Sequence, residues 1–565
     1  MASPTVDSEL IDDAQTLNDV SPSDGPRLTD DAQTLNGVSP SDGPSPQIQQ
    51  APPGKSRAFY LSFAAIMVST FLSALDLTGI ATALPTIANA LNDTKGDYIW
   101  VGSAYALSST ALIPMSGSLA DAFGRRPIML ISITFFAVGS ALAGAAQNMN
   151  MMIAARAIQG IGGGGILNLS EILVADLVPL AERGLYQGLV GLIWSLASCI
   201  GPPIGGALAN KGHKAWRWLF FLNLPLTAIA FVLVFTFLSV RQPEGSVRSK
   251  LAKVDWIGNA IVVVGAGLAI IGMTWGGHPI FLDIPQGFAL LFVFGVYEAK
   301  IAERPTIPLD VIGQRTSLSA LLSTAAHGIV SIAIAYYLPV FFQACFGASP
   351  LRSSVDFLPV TLITAPFAFF AGASISIIQK YRGVNVVGWA VTIVGIGLFS
   401  TLREDSSVGK WVGYQIIAAI GTGILYSAPA FPLLAPLPIN RAASGLALFT
   451  FTRSFFQTWG ITISSTILQN MLEKKLPADF VSQFPAGFEI AYAAIPAIKQ
   501  LEEPLKKQVQ AAFADSMAVI WQVMIGISGL GFLFCFLMAE IPMSTSVDES
   551  YALKEKEAIP DAEKA

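Results

Sequence analysis

The sequence predicts an all-α protein, a polytopic bundle of membrane-spanning helices, and three observations carry that expectation. Of its 565 residues 53% are hydrophobic and 13% charged, with a mean hydropathy of +0.59, where a soluble domain carries about 25% charge. Apolar windows near the ~20 residues a helix needs to cross a hydrocarbon core recur along nearly the whole chain after residue 57. Lys and Arg, finally, are shared unevenly between the short connections.

Residues 1–54 come first, with nine acidic residues and one basic residue, Arg27, among frequent Ser, Pro, Gly and Asn. Such a segment buries too little apolar surface to offset its ordering entropy, so an acidic disordered tail is expected. It repeats itself once, DDAQTLNDVSPSDGP at 12–26 returning as DDAQTLNGVSPSDGP at 30–44. Ser21 and Ser39, each before a proline, are candidate phosphorylation sites, with a plain solvated tail as the alternative. No signal-peptide pattern precedes the first apolar window.

Fourteen windows follow, at 59–80, 99–119, 128–147, 151–175, 186–208, 218–239, 255–275, 285–302, 318–342, 356–379, 384–402, 411–434, 443–468 and 517–540. Fourteen is even, which puts both termini on one side. With cytoplasmic termini, the short inside loops hold thirteen Lys and Arg, among them Arg125, Arg126, Arg183, Arg241, Lys300, Arg304, Lys380 and Arg441. The outside loops hold seven, including Lys95, Lys211, Lys214, Arg217 and Arg352, and the excess marks the cytoplasmic side. The cluster from Lys211 to Arg217 runs against the rule. Residues 471–515 form a long external loop in this reading.

Several function classes fall away. The net charge of -5 comes largely from the tails and argues for no nucleic acid. Cys199, Cys345 and Cys535 sit singly in apolar runs, without metal-ligand or disulfide spacing, and no metal or cofactor is expected. Gly160, Gly162 and Gly165 satisfy G-x-G-x-x-G, but that fingerprint needs a strand before it and a βαβ unit around it. Here the glycines stand inside a membrane window. Small residues let helices approach closely in lipid, so packing is the better account. On a helix Arg156, Gln159, Gly160, Gly163, Ser170 and Glu171 share one sector, which makes that face polar and small. Arg156 needs more than packing, because a charge at membrane depth costs at least ~2.5 kcal/mol. Glu171 is about 22 Å away along the helix axis and cannot pair with it directly.

Four other stretches carry chemistry. LDLTGIATALP puts Asp76 inside the first window, where a helix cap is the structural alternative to a functional acid. In GSLADAFGRRPIML, Gly117 to Leu130, Asp121 can accept from the next helix or from Arg125, and Gly124 permits a tight turn. The fifth window holds Gly188 and then GPPIGG at 201–206, where Pro202 and Pro203 would bend the helix and the glycines allow close packing. WRWLFFLNLP at 216–225 and KVDWIGN at 253–259 complete the set, with Trp216 and Trp218 suited to an interfacial belt.

Together these motifs resemble, from about residue 58 to 540, the major facilitator superfamily. Within it they resemble the fourteen-spanner drug:proton antiporters and the fungal multidrug and secondary-metabolite efflux pumps. The resemblance implies an N-terminal six-helix half at 58–240, a linker with two additional spans at 241–315, a C-terminal six-helix half at 316–545 and a cytoplasmic tail at 546–565. It implies substrate or proton handling by Asp76 and a part in proton coupling for Arg156, with Gln159 lining the cavity. Gly117, Asp121, Gly124, Arg125 and Arg126 would form a cytoplasmic gating loop, where Ala122 replaces the family's usual basic residue. Gly188, Gly201, Pro202, Gly205 and Gly206 would form the antiporter helix motif, with Ala197 in place of a further glycine. In the second half Lys380 and Arg382 keep the basic loop, but no acid stands where Asp121 does. Of His327, Asp356 and Arg453, the last is the cavity candidate, while His327 reads as a packing histidine.

The function expected is proton-coupled export of a small organic compound, such as a toxin, drug or secondary metabolite, by alternating access. The protein would be no enzyme. Its partners would be that substrate, protons and the lipid bilayer, and it would work as a monomer in the plasma membrane, or else in the vacuolar membrane. A vacuolar transporter of basic amino acids is the rival within the same branch. A non-transporting membrane sensor is more remote, since neither tail is a good candidate for an ordered signalling domain.

Overall fold

The computed structural model describes residues 55–91, 99–209, 211, 214–274, 283–302, 305–307, 309–481, 494, 495, 497–548 and 551. The acidic tail with Ser21 and Ser39, Lys95, Arg304, part of the 471–515 loop and most of the final tail lie outside the described residues. Every element among the described residues is helical. The first half comprises α1 (Arg57–Ala90), α2 (Ile99–Ala111), α3 (Ile113–Phe123), α4 (Arg125–Gly144), α5 (Met149–Leu177), α6 (Arg183–Ala209), α7 (Trp218–Phe221) and α8 (Asn223–Phe237). Next come α9 (Val247–Leu251), α10 (Trp256–Thr274), α11 (Asp283–Lys300) and α12 (Leu309–Gly313). The second half runs through α13 (Arg315–Cys345), α14 (Pro350–Asp356), α15 (Leu358–Ile378), α16 (Arg382–Phe399), α17 (Val408–Ser427), α18 (Ala430–Leu434), α19 (Ala442–Lys475), α20 (Ala478–Val481) and α21 (Leu505–Cys535).

Local chemistry sets several of these limits. Ser56 and Asn148 cap α1 and α5 by accepting from the amides of Phe59 and Met151, which relieves donors that a helix start leaves unpaired. The window at 99–119 is two helices rather than one. The break falls at Leu112, and Pro114, with no N–H to give, stands in the opening turn of α3. Among the described residues, eleven stretches are long and apolar enough to cross a membrane. The windows at 99–119, 285–302 and 443–468 fall in helices outside that set: one is broken, one ends in Glu298 and Lys300, and one carries Arg453 among many Ser, Thr and Gln. The count of fourteen is therefore not reached on length and composition alone. At the chain's end α21 begins at Leu505, well before the window at 517–540.

The faces of the helices read as a bundle in lipid. On α4, Ile128, Met129, Ile133, Phe136 and Ala143 are buried, while Ile131, Phe135, Val138 and Leu142 stand exposed on the other side. A helix apolar all round has no watery face. α1 packs on α6 and α8, and α5 lies between α2 and α4; in the second half α13 packs on α19 and α21, and α16 on α17. The halves meet where α6 packs on α15 and α5 on α19. Trp216 departs from the interfacial expectation: it is fully buried beside Phe220, whereas Trp218 is exposed.

Two ends of the first half can be told apart by their ties. At one, the Gly124 turn, Ser62 Oγ donates to the carbonyl of Phe237 (2.8 Å) and Arg126 to that of Phe235. At the far end, Arg217 Nη1 donates to the carbonyl of Gly144 (2.8 Å). Asp76 is 19 residues into α1, about 28 Å from its start, and so belongs to the far end.

Candidate functional site

The glycines of α5 act as packing surfaces on two sides. A Cβ on Gly160 would stand 2.1 Å from Ser108 Oγ, and one on Gly164 2.4 Å from the carbonyl of Ser109, both on α2. A Cβ on Gly162 would stand 2.4 Å from the carbonyl of Ser132 on α4. Just before these glycines on the same helix, Arg156 and Gln159 meet Asp76.

Arg156 Nη1 donates to Asp76 Oδ2 (2.7 Å) and to Gln159 Oε1 (2.5 Å), and its Nε donates to the carbonyl of Val101 (3.0 Å). Its guanidinium lies 4.4 Å from the ring centre of Tyr105 and 5.9 Å from that of Phe220. Asp76 Oδ1 accepts from Gln159 Nε2 (2.9 Å) and Asn223 Nδ2 (2.7 Å), and Gln159 Nε2 also reaches Ser140 Oγ (2.8 Å). Asp76 is 2% exposed and Arg156 1%. One carboxylate thus ties α1 to α5 and the start of α8, and through Gln159 to α4, with both oxygens hydrogen-bonded, the condition under which a buried charge is tolerated. A cavity of about 10 Å³, room for about one water, opens beside Asp76 and is lined by Leu75, Gly201, Ile204 and Asn223.

The sequence motifs account for Asp76, Arg156 and Gln159 but not for Ser140 or Asn223. Asn223 stands in LFFLNLP, an amide inside an apolar run, and that was its one signal.

The residues expected to form a gating loop gather at the other end. Arg125 bridges Asp121 Oδ1 (2.5 Å) and Asp176 Oδ2 (2.9 Å) and is itself buried, while the Asp121 side chain is 42% exposed. Gly124 turns the chain at φ 98°, a conformation suited to glycine. Gly117 faces the second half, where its Cβ would stand 3.1 Å from Ala447 Cβ. Asp176 was not foreseen, nor was Tyr551, whose ring lies 3.4 Å from the Arg125 guanidinium and whose hydroxyl donates to the carbonyl of Asp121 (3.2 Å). Burial pushes the Tyr551 phenol above its ordinary pKa, against the opposing pull of Arg125. The stretch from α21 to Tyr551 touches both halves here. The amide of Ala181 donates to the carbonyl of Ser544 (3.1 Å), and Tyr381 Oη donates to the carbonyl of Ala539 (2.6 Å). The acid missing from the second half's basic loop arrives by this route: Glu540 accepts from the amides of Tyr381 and Arg382 at the start of α16.

The α6 motif divides between two partners. A Cβ on Gly188 would stand 2.5 Å from Phe369 Cα on α15, across the halves, while one on Gly201 would stand 2.3 Å from Thr78 Oγ1 on α1. Gly205 and Gly206 are buried, and Pro202 lies within the helix.

Arg453 is elsewhere. It donates to the carbonyl of Tyr426 and lies 4.4 Å from the ring centres of both Tyr426 and Phe449, while its Nε meets no acceptor among the described residues. Glu171, held by Gln187 Nε2 (3.1 Å), is within its electrostatic reach from the first half. His327 Nε2 meets the carbonyl of Thr422 (3.1 Å), but its Nδ1 finds no partner among the described residues, so its packing role is half satisfied. Asp356 pairs with Arg352 (2.9 Å).

Residues 66–461 match the Major Facilitator Superfamily. The efflux pump FUS6 of Gibberella moniliformis is 36% identical over 89% of this chain and 91% of its own length. The Acurin A biosynthesis cluster MFS-type transporter of Aspergillus aculeatus is 35% identical over 90% of this chain and 94% of its own. Among solved structures, the human organic anion transporter MFSD10 overlays 86% of this chain and all of its own with a TM-score of 0.54 at 16% identity, a likeness of fold.

Proposed function

The chain belongs to the Major Facilitator Superfamily and is a multi-pass membrane transporter, and on that premise we propose that it exports a small organic compound in exchange for protons, by alternating access. The relatives named as efflux pumps and as part of a biosynthesis cluster favour a toxin or secondary metabolite as cargo. We place both termini in the cytoplasm, on the distribution of Lys and Arg, and take the protein to work as a monomer at the plasma membrane.

The observation that carries the reading is the closed set of donors around Asp76. As a carboxylate it accepts from Arg156, Gln159 and Asn223 and ties α1, α5 and α8 at the far end. A proton on Asp76 turns one acceptor into a donor and removes the charge that Arg156 answers to. Arg156 is then left uncompensated, and the tie loosens. The two protonation states thereby favour different arrangements of the far end, as a two-state transporter coupled to protons requires. The cavity beside Asp76 offers one water between the acid and Gly201 of the α6 motif. In this scheme Asp121, Arg125 and Asp176 hold the opposite end closed, and Arg453 with Glu171 faces the cargo between the halves.

The test is Asp76→Asn in proteoliposomes with an imposed pH gradient, using a cargo found by screening a deletion strain and an overexpressor against a compound panel at two external pH values. Asn keeps the shape and most hydrogen bonds but cannot carry the proton. Export driven by the gradient should be lost while folding and surface level are retained; unchanged export overturns the proposal.

A further inference from the structure

The hairpin between the halves holds a pair of acids that the transport scheme leaves unused. Asp255 directly precedes α10, and Glu298 lies in the last turn of α11. One oxygen of each is fully engaged. Asp255 Oδ1 accepts from the amide of Gly258 (2.9 Å) and from Tyr297 Oη (3.1 Å), and Glu298 Oε2 accepts from the amide of Ile307 (3.0 Å). The other two oxygens, Asp255 Oδ2 and Glu298 Oε1, are buried and meet no donor among the described residues.

These two oxygens face each other. A Cβ placed on Gly258 would lie 2.1 Å from Oδ2 and 2.6 Å from Oε1, so the two oxygens are no more than 4.7 Å apart. Glu298 is 5% exposed, while Asp255 is half-buried and lines the adjoining cavity, although its Oδ2 is turned inward. Two ionised carboxylates in that arrangement repel with nothing between them, whereas one proton converts the contact into a strong O–H···O⁻ hydrogen bond. The neighbouring charges do not substitute for it. Lys253, Asp121 on α3 and Arg441 line the adjoining cavity of about 360 Å³, but none forms an ion pair with either acid among the described residues, and Arg441 is taken by Asp310 (3.3 Å). No group of three metal-ligating side chains gathers there among the described residues.

We propose that Asp255 and Glu298 form a second proton-binding site, a carboxyl–carboxylate pair that holds one proton between Oδ2 and Oε1. The proton belongs to the pair rather than to either acid. While it is bound, it closes the α10–α11 hairpin at the end beside Asp121. When it leaves, two like charges remain in contact, and the hairpin is pushed open towards the cavity it shares with the gating loop. The site would stand even if Asp76 played no part in transport, so the two proposals fail separately.

The test uses the purified full-length protein in detergent, with thermal unfolding followed from about pH 5 to about pH 9 and infrared difference spectra for protonated carboxyl groups. Wild type should lose stability on the alkaline side together with a protonated-carboxyl band. In E298Q the amide donates to Asp255 Oδ2 without titrating, so the band component and the alkaline loss should both disappear, with stability at low pH retained. D255N, whose amide donates to Glu298 Oε1, should do the same and carries the test if E298Q does not fold. An unchanged band and unchanged alkaline loss in the variants overturn the proposal. So does suppression of the wild-type alkaline loss by sodium at fixed pH, which would assign the gap to a metal ion.

Discussion

Arg156 and Arg453 stand in long helices of the two halves, and the molecule treats them differently. Arg156 is well supplied: an acid, an amide oxygen and a main-chain carbonyl accept from it, and a tyrosine ring lies against it. Arg453 has one main-chain carbonyl and two rings, and its Nε is left over. Both face the same cost of charge in the membrane. Where the protein supplies the counter-charge from its own chain, the arginine is committed to the architecture and can change only if the acid changes protonation. Where donor capacity is left open and the acid within reach, Glu171, is held by Gln187, the arginine can still answer to something that comes and goes.

The largest way to break this contrast is Asp76→Leu. It strands Arg156 in the interior, which should cost about 3–5 kcal/mol, and the double variant Asp76→Leu/Arg156→Leu should recover much of that because no lone charge remains. Thermal unfolding in detergent reads both. If the double variant is no more stable than the single one, the pair is not the unit described here.

Glycines beside the two arginine helices sharpen it next. A Cβ on Gly139 would meet the main-chain N and Cα of Gln159 at 2.4 and 2.5 Å, whereas one on Gly328 would meet the carbonyl of Arg453 at 2.8 Å. Gly139→Ala should therefore cost about 1–3 kcal/mol through forced separation of α4 and α5, and Gly328→Ala less. Equal costs would mean that the first site is no more tightly specified than the second. Asn223→Ala follows, removing one of the donors to Asp76 Oδ1; a hydrogen bond to a charged group contributes about 1.5–3 kcal/mol, and the midpoint of unfolding should fall accordingly.

How much of this was legible beforehand follows the same contrast. Asp76, Arg156 and Gln159 announce themselves because a charge or amide in an apolar window is expensive and needs a reason. That they meet is not written in any local spacing, since Asp76 and Arg156 are 80 residues apart in sequence. Ser140 is an ordinary neutral residue until Gln159 is seen beside it, and Asn223 is an amide in an apolar run whose partner no local spacing reveals. Trp216 read as an interfacial residue because Trp suits the membrane–water belt, yet packing turns it inward. Glu540 and Tyr551 were invisible for another reason: they come from the end of the chain to serve loops more than 150 residues earlier, and no motif spans that distance.

The smallest expected effect on stability tests the other side of the comparison. Arg453→Gln removes a guanidinium that makes one hydrogen bond to the main chain, a loss of about 1 kcal/mol, so the protein should fold and reach the membrane. If the open donor serves cargo, export should nevertheless fall at least tenfold, the equivalent of about 1.4 kcal/mol of lost interaction, and Arg453→Lys should restore little, because an ammonium has neither the planar fork of donors nor the stacking capacity of a guanidinium beside the Tyr426 and Phe449 rings. Measured beside Arg156→Gln, which should damage folding first, the two variants separate an arginine that holds the protein together from one that meets what passes through it. Export unchanged in Arg453→Gln would return Arg453 to the ranks of packing residues and leave the cargo to be met by other groups between the halves.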